Sequence, residues 1–316
     1  MAESINRSNL EAFQNYVQDY SAELKDLSLR GAPSLMYFTP VPGVKGRLIM
    51  AWSEILDILK PWAAAFSAGA DTVNLTTVTI ESHFQKAELS ITPKSDLLTW
   101  RGFLTQTKQD PETYPFVRYV MEKAAQKIAT QQEFDQIFTG DQLGTPVNAA
   151  DVYNGLLTLI ADDQGLGTPV LTPVATGALA SGTIIAQVEQ VDDAINEQYR
   201  RSGFRMFVSP SVFKMYRRAY RTANGYHPAY SDLDNQNEIQ LDGSSTILTS
   251  CPGMGTSNRI ICTPSDNIWH AYDAEDDKRV WEFDIDHRTI DMWCDHWSGT
   301  GFFIFDDRVL VINDQA

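Results

Sequence analysis

Cys294 and His296 lie two residues apart in a stretch of strand-forming residues, so their side chains fall on one face. A thiol beside an imidazole is the pairing that a nucleophilic cysteine or a metal centre requires. Zinc needs three or four ligands, and neither C-x-x-C nor H-E-x-x-H completes the set. A thiolate nucleophile needs a base and a third group to orient that base. Both residues are therefore expected to be structural, with a soluble Cys/His-dependent enzyme as the alternative from another class. Trp293 and Trp297 fall on the opposite face. The acids of Asp273-Ala-Glu-Asp-Asp277 have the 1, 3, 5 spacing of a calcium loop. Lys278 and Asp284, however, stand where glycine and glutamate are needed, and the run reads as a solvated hairpin turn. Gly165-Leu-Gly167 lacks the third glycine, the following helix and the lysine of a phosphate-binding loop. The G-x-S-x-G pattern of a nucleophile elbow is absent. Ser209-Pro210 could offer N–H groups to an anion, but reads more simply as a helix cap.

One charge pattern stands apart. Lys214, Arg217, Arg218 and Arg221 fall at i, i+3, i+4 and i+7, a basic stripe, while Val212, Tyr216, Ala219 and Ala223 form a separate apolar side. Arg200, Arg201 and Arg205 are close in sequence. From Asp266 onward the chain instead carries thirteen acids against four bases. The stripe is either a solvated face or the complement of an acidic surface on an identical copy. Nucleic-acid binding ranks behind both, because the whole chain of 316 residues has a formal charge of −16. Its composition, 43% hydrophobic and 11% aromatic, is that of a folded protein with room for a sizeable core. No apolar window is long enough to cross a membrane, and residues 1–30 lack the apolar core of a signal peptide. Three cysteines are too few for a disulfide framework. No cofactor or metal is implied.

The elements that must carry these residues alternate in type, which points to α+β. A capping box of Ser8 and Glu11 opens a helix whose seam is Leu10, Phe13, Val17, Tyr20, Leu24 and Leu27, stopped by Gly31 and Pro33. Such a narrow seam suits an arm that docks on another surface. A short helical stretch from Trp52 to Leu59 comes next. Two strand-like runs, Thr72–Glu81 and Phe84–Thr92, meet at Ser82–His83 as a long hairpin. Asp110, Pro111 and Glu112 start the longest helix, with the stripe Val117, Met121, Ala124 and Ile128, running towards Phe138 and Gly140. After a Gly/Pro/Thr-rich loop, Val188, Val191, Ile195 and Tyr199 mark a helix closed by Gly203. Phe204–Val208 reads as a strand, and Ser209-Pro210 starts a helix ending at Asn224-Gly225. The remainder is strand-like: Thr246–Ser250, Arg259–Thr263, Asn267–Ala271, Arg279–Asp286, Thr289–Trp297 and Gly301–Val311.

This order of elements resembles the major capsid protein of tailed bacteriophages, with the Hong Kong 97-type fold. Local phrases carry the same resemblance: Gly203-Phe-Arg-Met-Phe-Val-Ser-Pro210 running into Tyr216-Arg-Arg-Ala-Tyr220, then Arg259-Ile-Ile-Cys-Thr-Pro264 and Asn267. The resemblance implies an N-terminal arm over 1–42 and an extended hairpin, the E-loop, with the start of a peripheral domain over 43–108. It implies a spine helix within 109–149, an axial domain over 150–270 and closing strands over 271–316. Its implied function is a non-enzymatic subunit of an icosahedral shell around double-stranded DNA, held without sequence-specific contacts. The implied partners are identical subunits in pentamers and hexamers, with scaffold, portal and decoration proteins as further candidates. The implied location is the virion, after assembly in the bacterial cytoplasm. Encapsulin-like shells and other virion proteins are neighbouring readings. The candidate inter-subunit residues are Leu10, Phe13, Val17, Tyr20 and Leu24 of the arm and Lys214, Arg217, Arg218 and Arg221 of the stripe. No long charged N-terminal extension is present to act as built-in scaffold, and no lysine–asparagine cross-linking pair can be aligned.

Overall fold

The structure, a computed structural model, describes residues 31–55, 73–92, 98–99, 101–102, 105–106, 116–224, 237–273, 282–286 and 289–315. In chain order the strands and helices begin with β1 (Thr39–Pro42), β2 (Arg47–Ile55), β3 (Val73–Glu81) and β4 (His83–Ile91). Helix α1 (Phe116–Gln131) runs on into a π-helical turn, Gln132–Gln136, and is followed by α2 (Leu156–Gln164) and α3 (Ile184–Asp193). Then come β5 (Phe204–Val208), α4 (Pro210–Asn224), β6 (Glu238–Gln240), β7 (Ile247–Ser250) and β8 (Ile261–Pro264). The chain closes with β9 (Ile268–Tyr272), β10 (Glu282–Asp286), β11 (Thr289–Phe302) and β12 (Val311–Ile312). The expected mixture of helix and sheet is present.

One five-stranded sheet runs β12-β8-β5-β7-β6. Its central strand β5 alternates with period two, as a strand buried on both faces must. Phe204, Met206 and Val208 meet Val188 and Val191 of α3 and Val212, Phe213 and Tyr216 of α4. Phe207 points the other way, into a second core with Phe38, Phe138, Leu156, Ile160 and Ile312. There the Phe38 ring stands edge-on to both Phe138 and Phe207, at 6.2 and 6.0 Å between centroids. Local signals explain the unit: Gly203 adopts φ 75°, which ends the preceding turn, and buried Ser209 receives the Val212 N–H at 3.5 Å.

The second sheet is organised by β11, which pairs with β4, β9 and β10, while β1 adds in parallel to β9. Ile290–Trp293 pair with β10 and β4 at once, and Ser298 pairs with β4 and β9. A strand has two edges, so β9 and β10 lie end to end along one edge of β11 and β4 lines the other. The expected hairpin turn between β9 and β10 is therefore corrected, because neither strand pairs with the other.

Two further expectations change. Strands β3 and β4 exist, but not as a hairpin: β3 pairs residue by residue with β2, and β4 pairs with β11. Ser82 is a corner between the two sheets, with its Oγ–H donating to Val44 O (2.8 Å) and its N–H to Gly46 O (2.7 Å). Trp52–Ile55, expected as helix, is strand, because register with Val73–Thr76 overrides the local preference. The long helix carries its buried stripe on Met121, Ala125, Ile128 and Ala129, so Ala125 takes the place expected for half-buried Ala124. Its expected start at Asp110 lies outside the described residues, as does the helix from Ser8.

β11 is one unbroken strand through Ser298–Gly301, where the glycines suggested an interruption. A Cβ on Gly299 would come within 2.1 Å of Glu81 O, and one on Gly301 within 2.5 Å of the Trp269 ring. The glycines are there because the β3–β4 corner and Trp269 press onto the strand.

The π-helical turn places Gln132, Glu133 and Gln136 inside. The Glu133 carboxylate accepts three bonds: from Ser34 N–H (2.9 Å), Ser34 Oγ–H (2.6 Å) and Gly253 N–H (2.8 Å). Replacing Glu133 with Ala strands buried donors and is expected to lower unfolding stability by ~2 kcal/mol or more in a urea titration. Gly299→Ala is expected to cost roughly 1–3 kcal/mol in the same measurement, from the forced contact with Glu81.

Candidate functional site

Cys294 and His296 share a buried face of β11, opposite Ala87 and Gln85 of β4. Burial drives the imidazole down to about 4, with Asp273 and the Cys294 backbone pulling the other way, so His296 is neutral at pH 7. Its Nε2 has no hydrogen-bond partner among the described residues. Burial also raises the thiols of Cys251 and Cys262 well above the ordinary range, against thiolate chemistry. Among the described residues no group of three His, Cys, Asp or Glu side chains is placed to hold a metal ion. Asp273, at the head of the acidic run, is buried and pairs with Lys45 at 3.2 Å; residues 274–281 lie outside the described residues.

The basic stripe is real as a surface. Lys214, Arg218 and Arg221 are exposed on α4, and half-buried Arg217 sits 5.8 Å from the Phe213 ring. Like charges at i, i+3 and i+4 repel by ~0.2–0.5 kcal/mol per pair, so the isolated chain gains nothing from clustering them. The other nearby arginines do not join the stripe. Arg200 reaches Asp192 (3.4 Å) and Glu197 (3.2 Å). Arg205 turns to the far side of β5, where it pairs with Glu238 at 2.6 Å and lies 4.5 Å over the Tyr37 ring. Of the expected apolar side, Val212 and Tyr216 are buried, Ala219 is half-buried and Ala223 is exposed. Phe213 supplies the missing contact. The arm residues Leu10, Phe13, Val17, Tyr20 and Leu24 lie outside the described residues.

Large apolar side chains also remain exposed: Met36, Ile49 on β2, Phe84 on β4, and Val147 at 83%. Ribbon β2–β3 forms a two-stranded sheet of its own, a unit that is marginal in water without support. Sequence reading missed the polar anchors Glu133 and Asp192, because nothing local marks an acid whose donors lie far along the chain. Asn267 was noticed only for its phrase. Its carboxamide donates to Thr263 Oγ1 (2.9 Å) and Ile304 O (3.0 Å) and accepts from Ile304 N–H (2.8 Å).

No family model and no curated protein sequence matches the chain. Solved structures do. A chain of the satellite phage P4 procapsid, which includes the size determination (Sid) protein, superposes at TM-score 0.51 and 11% identity, covering 93% of this chain and 98% of that one. The capsid of the native GTA particle matches at TM-score 0.53 and 16% identity, over 91% of this chain and 89% of that one. The capsid of the empty GTA particle matches at 0.54 and 16%, over 88% and 94%. The chain thus has the α+β fold of these particle chains over most of its length.

The imidazole of His296 sets a pH limit. Its pKa is about 4 in the fold against an ordinary 6.5, so the unfolded chain binds the proton more readily. Its stabilising contribution is complete above pH 6.5 and is lost as pH falls towards 4, up to ~3 kcal/mol. Denaturant midpoints measured across that window should fall with pH, and His296→Gln should flatten the slope.

Proposed function

We propose that this protein is a structural subunit of the Hong Kong 97 type, whose copies assemble into the icosahedral head of a tailed bacteriophage around double-stranded DNA. The observation that carries the reading is the likeness of nearly the whole chain to chains of a phage procapsid and of GTA capsids. A shell subunit works through surfaces that are buried on assembly, and this chain has them. It exposes apolar side chains on β2, β4 and the segment around Val147, and a basic stripe on α4.

In this reading residues 1–42 form the arm, ribbon β2–β3 belongs to the E-loop region of 43–108, and α1 is the spine helix within 109–149. The sheet centred on β5, with α3 and α4, is the axial domain of 150–270, and 271–316 supply closing strands. Pentamers and hexamers of identical subunits are the expected building blocks. Scaffold, portal and decoration proteins are the expected partners, and the host cytoplasm is the expected place of assembly.

Electron microscopy of the purified protein, with light scattering for mass, tests the reading. Closed shells, or rings of pentamer and hexamer size, are the expected outcome. A monodisperse monomer unmoved by salt, concentration or a co-expressed scaffold would sink it. Deleting residues 1–30 is expected to leave a folded protein with a sharply lower particle yield. An unchanged yield would remove the arm from the account.

A further inference from the structure

Several cations in the described residues close ion pairs within the chain: Arg47 with Glu81, Arg118 with Glu122, Arg205 with Glu238, Arg308 with Asp306. Lys214, Arg218 and Arg221 are different. They are exposed, they share one face of α4, and none has an ion-pair partner among the described residues. The neighbouring helix carries the opposite pattern. On α3, Ile184, Val188 and Val191 are buried, while Glu189 and Asp193 stand exposed at i and i+4, also without an ion-pair partner among the described residues. Both helices pack on the same face of the β5 sheet and against each other, so the outer surface of this layer holds an acidic and a basic stripe side by side.

We propose that these stripes are the two halves of one contact between copies of the chain: Glu189 and Asp193 of one subunit against Lys214, Arg218 and Arg221 of another. The inference rests on the shell reading and names the surfaces through which its subunits recognise each other. Four residues along a helix rise about 6 Å, so Glu189–Asp193 and Lys214–Arg218 present charges at matching intervals. Two helices from different copies can then register carboxylate against cation along their lengths. The charges lie on the solvent side, opposite the buried residues, so pairing them needs no change in the core. Each stripe repels itself in the lone subunit, and a second copy sets an opposite charge against each of them. A nucleic acid is the poorer occupant. A phosphate backbone following α4 would meet Glu189 and Asp193 on the adjacent helix, on a chain whose total charge is −16.

Three variants of the full chain test this. The first, Lys214→Glu with Arg218→Glu and Arg221→Glu, leaves both stripes acidic. The second, Glu189→Lys with Asp193→Lys, leaves both basic. The third combines all five changes and exchanges the stripes. All five positions are exposed, and unchanged thermal unfolding would establish that each variant is folded. Particle yield by electron microscopy and sedimentation should fall roughly tenfold or more in each single-stripe variant. It should recover in the exchanged variant and in an equimolar mixture of the first two, and all of these assemblies should weaken as salt rises. Failure of both the exchange and the mixture to recover would overturn the proposal. So would normal particles from the second variant, or a first variant that assembles normally and loses only its hold on double-stranded DNA. If the wild type forms no particle under any condition, the shell reading fails by itself. The contact is then read from the mixture, where co-sedimentation of the all-acidic and all-basic chains supports it and independent migration overturns it.

Discussion

A single buried carboxylate sets the arrangement of the core around Phe38, Phe138 and Phe207. Glu133 is almost wholly enclosed, and such a group is tolerated only when donors surround it. Its donors come from Ser34, 99 residues earlier, and Gly253, 120 residues later. The segment before β1, the π-helical turn after α1 and the chain beyond β7 must therefore meet at one point. Gly253 has to be glycine there, since a Cβ would lie 2.1 Å from Glu133 O. Phe38, Phe138 and Phe207 close over the junction, so the polar clamp and the aromatic contacts specify the same geometry. Rigid-body continuity between α1 and the β5 sheet follows from it.

The second organising element is β11, whose length lets one strand serve β4, β9 and β10 together. Its neighbours can approach closely only because Gly299 and Gly301 present no side chain. The Ser82 corner then hands the chain from this sheet to ribbon β2–β3, held at its base by Val44 and Gly46. Ribbon β2–β3 remains a two-stranded sheet of its own.

Charge is distributed with the same economy. Acids and bases that lie within reach of each other are paired inside the fold, as with Arg205–Glu238 and Lys45–Asp273. On the helical layer, exposed charges of opposite sign sit on adjacent helices.

Much of the local structure was legible in the sequence because its causes are local. Gly203 at positive φ, the alternation through Phe204–Val208 and the Ser209-Pro210 start place β5 and α4 where the residues suggest. The common face of Cys294 and His296 follows from strand periodicity alone, and so does the basic stripe from helical periodicity. The partners of each strand were not legible. Periodicity says which side chains share a face and nothing about which strand lies alongside, so β3 was assigned to β4 when its register belongs to β2. Trp52–Ile55 became strand, and Ser298–Gly301 stayed strand, because contacts with Val73–Thr76, Glu81 and Trp269 outweigh the preferences of the residues themselves. Amino-acid order by itself determined most of the elements, the basic stripe and the resemblance to a capsid-type fold. Only the tertiary structure decided the pairings and the polar anchors, since those depend on groups that come together from distant parts of the chain.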